Sequence, residues 1–166
     1  MIGRRWSKLK KKLENLFEPT LNIEFNCSSY PVRSQRGGNS IPRFYMQIDK
    51  EIIWDFPRDF ELRNIQFSLW ASQNEITDLI QEYIETPVDQ LLTTNFKYET
   101  ITIEDDWLLH LDGKRYEVNY HLTELFIAAD RRIGKQKLIG FAALKSNEAI
   151  DTILEKRFGS IKPLNT

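Results

Sequence analysis

The spacing of apolar residues predicts a helix at the start of the chain, followed by strands. The first apolar residues recur mainly at steps of three and four, as in an amphipathic helix that Pro19 ends: Trp6, Leu9, Leu13, Leu16 and Phe17. Apolar and polar residues then alternate over 21–26, which predicts a half-buried strand. A β-prone stretch covers 44–56, with a turn expected at Asp49-Lys50 although no glycine supports it. A further short strand is predicted at 64–69.

The second half of the chain predicts helices and one hairpin. Ser72 is the expected N-cap of a helix, with Glu75 at the capping-box spacing, and Pro87 opens a short helix through Leu92. Asp112-Gly113, between the β-prone runs 107–111 and 115–120, predicts a hairpin. Helices are then expected at 123–133, 135–144 and 147–158. Thr123 is the expected cap of the first helix and Ser146 that of the third, which Gly159 is expected to end.

These elements predict one α+β domain over residues 1–166, an antiparallel sheet with helices packed on one face. The chain has 166 residues, of which 41 % are hydrophobic, enough for a real core and too many for a disordered protein. Cys27 has no partner for a disulfide. No segment resembles a membrane span or a signal peptide. We therefore expect a soluble, cytoplasmic protein, whose oligomeric state the sequence leaves open.

Charge changes this picture, because the formal net charge of −1 hides a segregation along the chain. Residues 1–12 carry six basic side chains and no acid, whereas residues 73–113 carry ten acids and one lysine. Residues 114–166 carry ten basic side chains and six acids. The chain is therefore dipolar in sequence, and charge distribution bears on binding partners more than the total does.

The acidic segment contains a row of carboxylates on its predicted helix. Steps of three and four residues place them opposite the apolar stripe: Glu75, Asp78, Glu82 and Glu85. They form either a solvated helix face or a surface that attracts a cationic protein partner.

Two basic clusters are candidate anion-binding sites. The N-terminal helix contributes Arg4, Arg5 and Lys8, and residues 131–137 contribute Arg131, Arg132, Lys135 and Lys137. Such side chains suit phosphate, nucleic acid or an anionic membrane surface. Alternatively, Arg131 and Arg132 pair with the protein's own acids.

Residues with catalytic or metal-binding chemistry form no recognised motif. Nucleotide-binding, zinc-protease and serine-hydrolase signatures are absent from the sequence. Cys27 is expected to be a buried small hydrophobe, and no metal, cofactor or catalytic residue is predicted. An enzyme, the remaining alternative, would draw its polar groups from this set: Arg33, Arg36, Glu104, Asp105, Asp106, His110 and His121.

Four segments resemble a family of small bacterial proteins with no assigned function. They are RRWSKLKK at 4–11, SQRG at 34–37, KEIIWDFP at 50–57 and AADRRIGK at 128–135. The resemblance implies a bacterial, cytoplasmic protein and carries over no substrate, cofactor or catalytic residue.

The leading hypothesis is a non-catalytic protein-interaction domain, in one version an immunity or antitoxin-like protein that uses its acidic helix. The alternatives are a protein that binds nucleic acid or another anionic ligand through the two basic clusters, and an enzyme of unrecognised type. Nucleic acid is the less favoured partner, because the whole chain is slightly acidic.

Overall fold

A computed structural model describes residues 4–31, 40–56, 66–104, 115–145 and 147–159. Its strands come in runs that form antiparallel sheets, separated from its helices, which confirms the predicted α+β class. In chain order they are α1 (Arg4–Glu14), β1 (Ile23–Pro31), β2 (Ser40–Ile48), β3 (Glu51–Phe56), α2 (Gln66–Glu85), β4 (Thr100–Glu104), β5 (Arg115–Asn119), α3 (Thr123–Ala129), α4 (Lys135–Lys145) and α5 (Glu148–Phe158). Single 3₁₀ turns occur at Pro19–Leu21 and Val88–Gln90.

The first sheet is antiparallel, in the order β1-β2-β3, and has one apolar face. Phe25 pairs with Met46, and Met46 with Trp54, so these three side chains share the buried face. Glu24 pairs with Gln47, which places polar side chains on the other face. The period of two in the sequence therefore fixes which side of the sheet meets the helices.

The turn between β2 and β3 is tight despite the absence of glycine. Asp49 and Lys50 have φ values of 49° and 70°, the left-handed combination of a type I′ hairpin. Two side chains hold the Asp49 carboxylate: Asn22 donates through Nδ2 at 3.1 Å, and Lys156 through Nζ at 3.3 Å. The predicted turn is confirmed. Contacts from residues distant in sequence stabilise its positive φ angles, which glycine would adopt more easily.

The second sheet is the antiparallel hairpin β4-β5, in which Glu104 lies opposite Arg115. The predicted strand at 115–120 is therefore present, but its partner is Thr100–Glu104. The predicted partner at 107–111 and the Asp112-Gly113 turn lie outside the described residues.

Helix α2 begins earlier than the sequence pattern predicts. Residues 66–69 are helical, so the strand predicted at 64–69 is wrong over them, and Ser72 lies inside the helix rather than at its N-cap. The alternation over 65–69 is short, and a short apolar run does not distinguish a strand from a helix. Leu69 precedes Ile76 by seven residues, two helical turns, and so continues the apolar spacing of α2.

The C-terminal helices differ from the predictions mainly at their ends. Helix α3 stops at Ala129 instead of 133, and Thr123 is its first residue and not its cap. Asn147 caps α5, since its Oδ1 accepts the Ile150 N–H at 2.8 Å. Ser146, the predicted cap, lies outside the described residues. Gly159, at φ 76°, ends α5 as expected.

Phe25 is the centre of the aromatic core. Its ring lies 5.7 Å from that of Trp6 in α1, 6.0 Å from Trp54 in β3 and 5.7 Å from Phe126 in α3. Each pair adds about 0.5–1.5 kcal/mol to the stabilisation from buried area. Helices from both ends of the chain therefore pack on the same face of the first sheet.

A buried carboxylate follows α3. Asp130 is 0 % exposed, and its Oδ2 accepts hydrogen bonds from the Tyr83 hydroxyl and from Arg132 Nη2, both at 2.7 Å. Its Oδ1 accepts from Arg132 Nε at 3.0 Å and from the Arg132 backbone at 2.9 Å. Burial, together with the Asp130 charge, raises the pKa of Tyr83 well above its ordinary value, so Tyr83 remains a donor.

Tyr83→Phe should lower the free energy of unfolding by about 1.5–3 kcal/mol, because a buried carboxylate loses one donor. Urea denaturation measures the change. Tyr98→Phe, at a half-buried site, is the matched control and should change stability by less than about 0.5 kcal/mol. Equal losses in the two variants would contradict a special role for the Tyr83 hydroxyl.

Candidate functional site

The two predicted basic clusters meet through a short backbone bridge. Phe17 and Asp130 form an isolated antiparallel β-bridge, in which Glu18 N donates to Ala129 O at 2.8 Å. Arg131 N donates to Leu16 O at 2.7 Å on the other side of the bridge. The segment that follows α1 therefore lies beside the segment that follows α3.

Arg131 extends this contact with its side chain, whose Nε donates to Asn15 O at 2.9 Å. The guanidinium thus lies at the C-terminal end of α1, where cations are favoured by the helix dipole. Lys8, Lys11 and Lys12 are exposed on α1 and lead toward Asn15 at helical spacing. We call Lys8, Lys11, Lys12 and Arg131 the basic surface.

The other predicted cations have different positions. Lys135 and Lys137 are exposed in the first turn of α4, shortly after Arg131 in sequence. Arg132 turns inward to Asp130, so one arginine of the pair serves the protein's own carboxylate, although not the acidic row of α2. Arg4 and Arg5 begin α1, and their side chains are outside the described part of the structure.

The apolar side of α1 is used inside the protein. Trp6, Leu9 and Leu13 are all buried in the core, with Trp6 8 % exposed. An amphipathic helix that lies on a membrane needs this side free for the lipid. In the described structure, α1 therefore offers solvent its lysines and not its apolar stripe.

The acidic row on α2 is partly engaged in local structure. Both oxygens of Glu82 accept backbone N–H groups, from Lys97 at 2.9 Å and Tyr98 at 3.2 Å. Glu85 is exposed and accepts from Gln81 at 2.7 Å, and Asp78 is half-buried. The Glu75 side chain lies outside the described residues.

A cavity that the sequence analysis missed lies beside α3. It has a volume of about 330 Å³ and combines polar side chains with an apolar lining of Leu91, Leu92, Phe96, Ile127 and Phe141. This volume is at the lower end of the range of about 300–1,000 Å³ found for small-molecule sites. We call it the Glu99 cavity, after the carboxylic acid that lines it.

Glu99 connects the second sheet to the start of α3. Its Oε1 accepts from Thr123 N at 3.0 Å and from the Thr123 hydroxyl. Its Oε2 is buried and has no hydrogen-bond partner among the described residues. Burial raises the pKa of Glu99 to about 7, an effect that the hydrogen bonds from Thr123 and the backbone N–H of Leu122 oppose. No spacing in the sequence brings residues 99 and 123 together, so no sequence motif signals this site.

A second carboxylate, Glu124, lines the same cavity, and its charge helps to raise the pKa of Glu99. Lys145 Nζ lies 3.6 Å from Glu124 Oε1, and His121 Nδ1 lies 3.7 Å from Glu124 Oε2. The only cationic side chain that lines the cavity in the described structure is therefore already beside a carboxylate.

The candidate enzymatic residues form no cluster in the described structure. Burial raises the pKa of the Cys27 thiol to about 12, which disfavours the nucleophilic thiolate. Cys27 packs against the core, although it is half-buried and not fully buried as predicted. His121 is exposed. The described residues contain no group of three or more histidine, cysteine, aspartate or glutamate side chains placed to hold a metal. Outside the described residues, or described without a side chain, are Arg33, Arg36, Glu104, Asp105, Asp106 and His110.

Among the described helices, none is both long and apolar enough to cross a bilayer.

Comparison with known proteins identifies a family. The model of the SF0329 protein family matches residues 5–158, so the chain belongs to that family. This match confirms the resemblance seen in the four sequence segments, and the family description assigns no function. No match was found among curated proteins or solved structures.

The raised pKa of Glu99 predicts a specific dependence of stability on pH. A folded-state pKa of about 7, against an ordinary 4.5, means that the folded protein holds this proton more tightly than the unfolded chain. The contribution of Glu99 to the free energy of unfolding is therefore fully present below about pH 4.5 and is lost as the pH rises through about 7. The loss amounts to up to about 3 kcal/mol.

Urea denaturation across this pH range should therefore show a smaller loss of stability for Glu99→Gln than for the wild type. Glu85→Gln removes an exposed carboxylate on α2 and should follow the wild-type curve. Parallel curves for the wild type and Glu99→Gln would show that Glu99 titrates normally.

Proposed function

We propose that this member of the SF0329 family is a non-catalytic, cytoplasmic bacterial protein that binds the phosphate backbone of nucleic acid through its basic surface. The observation that supports this proposal is the hydrogen bond from Arg131 Nε to Asn15 O at 2.9 Å. It joins two basic clusters, separated by more than a hundred residues of sequence, into one cationic surface.

The charges of the basic surface are available to a partner. Lys8, Lys11 and Lys12 are exposed and make no hydrogen bond or ion pair with other described residues. Their neighbour Lys10 is different, since it donates to Asn26 Oδ1 at 2.7 Å and lies 4.0 Å from Glu14. Exposed ammonium groups bind phosphates largely by releasing condensed counterions, which gives a binding free energy that depends on salt.

The surface is suited to phosphates more than to bases. Base stacking requires an exposed aromatic ring, and Trp6, the only aromatic residue of α1, is buried under Phe25 and Phe44. Contacts with phosphates position a nucleic acid without reading its sequence. We therefore propose binding that is weak in sequence preference and strongly dependent on ionic strength.

Removing the lysines should weaken this binding and its dependence on salt. Fluorescence anisotropy with a labelled duplex DNA at several salt concentrations gives the slope of log K against log salt. The magnitude of this slope should fall by about 0.9 for each phosphate that a variant no longer neutralises. Lys11→Gln/Lys12→Gln should therefore reduce it by up to about 2, and Arg131→Gln by about 1.

The matched control is Lys97→Gln/Lys145→Gln, which removes the same charge from other parts of the protein. It should retain most of the wild-type affinity and slope. Equal effects of the two double variants, or no DNA and RNA binding at low ionic strength, would contradict the proposal.

A second candidate function is binding of a basic protein partner by the acidic row, as in an immunity or antitoxin-like protein. One observation favours it: hydrogen bonds already fix two of the carboxylates, Glu82 by the Lys97 and Tyr98 N–H groups and Glu85 by Gln81. Side chains that are ordered before binding lose less conformational entropy in a complex.

Reversal of charge at Glu75 and Glu85 tests this function while leaving the hydrogen bonds of Glu82 intact. Affinity capture from a native lysate should recover a stoichiometric protein partner with the wild type and lose it with Glu75→Lys/Glu85→Lys. The control Glu148→Lys/Glu155→Lys reverses two acids of α5 and should retain the partner. A partner retained by both variants would exclude the acidic row as its binding surface.

A further inference from the structure

The Glu99 cavity has the mixed lining of a small-molecule site. Apolar side chains from the segment after α2, from α3 and from α4 form one part of it, among them Phe96, Ile127 and Phe141. Polar side chains form the larger part, and the carboxyl of Glu99 is the one with a buried oxygen that lacks a hydrogen-bond partner in the described structure. A ligand of this cavity therefore meets an apolar patch, polar side chains and one unsatisfied acceptor, and the unsatisfied acceptor selects for a donor.

The charges around the cavity determine which donor is favoured. Glu99 and Glu124 both line it, and the charge of Glu124 disfavours ionisation of Glu99. Lys145 and the exposed His121 lie beside Glu124, at 3.6 and 3.7 Å from its oxygens, and neither makes a hydrogen bond to Glu99. The cation that would stabilise an ionised Glu99 is therefore not supplied by any described side chain.

We propose that the Glu99 cavity binds a small ligand that carries an ammonium or guanidinium group on an apolar body. The cationic group donates a hydrogen bond to Glu99 Oε2, and the apolar body packs against Phe96, Ile127 and Phe141. The Glu99 cavity is a different site from the basic surface, and its ligand has the opposite charge.

Ligand binding is then coupled to release of a proton. Before binding, Glu99 is partly protonated at neutral pH, since its pKa is raised to about 7. The cation binds the carboxylate form, and an ordinary amine remains protonated throughout this range. Apparent affinity follows the ionised fraction of Glu99, which rises from about one tenth at pH 6 to about nine tenths at pH 8.

The test uses 2-phenylethylamine as the probe and 2-phenylethanol as its neutral counterpart of nearly the same shape. Isothermal titration calorimetry with the wild type should show amine binding about tenfold tighter at pH 8 than at pH 6. The alcohol should bind more weakly at pH 8 and show no such dependence. Carbon-13 chemical shifts of the Glu99 carboxyl, followed against pH, should give a lower pKa with the amine present.

Variants separate this role from a structural one. Glu99→Gln keeps an oxygen that accepts from Thr123, and it should bind the amine about tenfold more weakly at pH 8, with no dependence on pH between 6 and 8. Glu155→Gln, at an exposed site on α5, has the same net charge and should bind as the wild type does. Absence of amine binding, equal binding of amine and alcohol at pH 8, or a Glu99 pKa unaffected by the amine would overturn the proposal.

Discussion

The buried carboxylate of Asp130 is the constraint on which the arrangement of the helices depends. An unpaired charge in the core would lower the free energy of unfolding by several kcal/mol, so the elements that pack around Asp130 must supply hydrogen-bond donors. Tyr83 brings α2 to it, and Arg132 folds back onto it from the next turn. The backbone on either side of Asp130 then makes the bridge with the segment after α1.

Arg157 completes this arrangement from α5. Its Nη1 donates to Ala128 O at 2.8 Å and to Asp130 O at 3.1 Å, and its Nη2 donates to Ile133 O at 3.3 Å. These carbonyls lie at and after the end of α3, where an α-helix leaves acceptors without partners. One arginine therefore satisfies carbonyls at the end of α3, which stops at Ala129 and not at 133, and connects α5 to it.

Periodicity predicted most elements, because a strand or helix that is buried on one side needs apolar residues at a regular spacing in the sequence. Local pattern failed at 66–69, where a short alternating run belongs to a helix, and at the partner of β5, which depends on a register set over ten intervening residues. Glu99 was missed for a different reason. Its perturbed pKa arises from burial and from a contact with Thr123, both of which exist only after the chain has folded.

The segregation of charge along the chain is visible in exposed side chains of two packed helices. Lys8, Lys11 and Lys12 of α1 are exposed, and so is Glu85 of α2. The apolar sides of α1 and α2 lie in the same buried core, so these charged side chains are on the outer sides of the two helices. The near-neutral total therefore describes a protein with separate basic and acidic regions, each of which can act on a different kind of ligand.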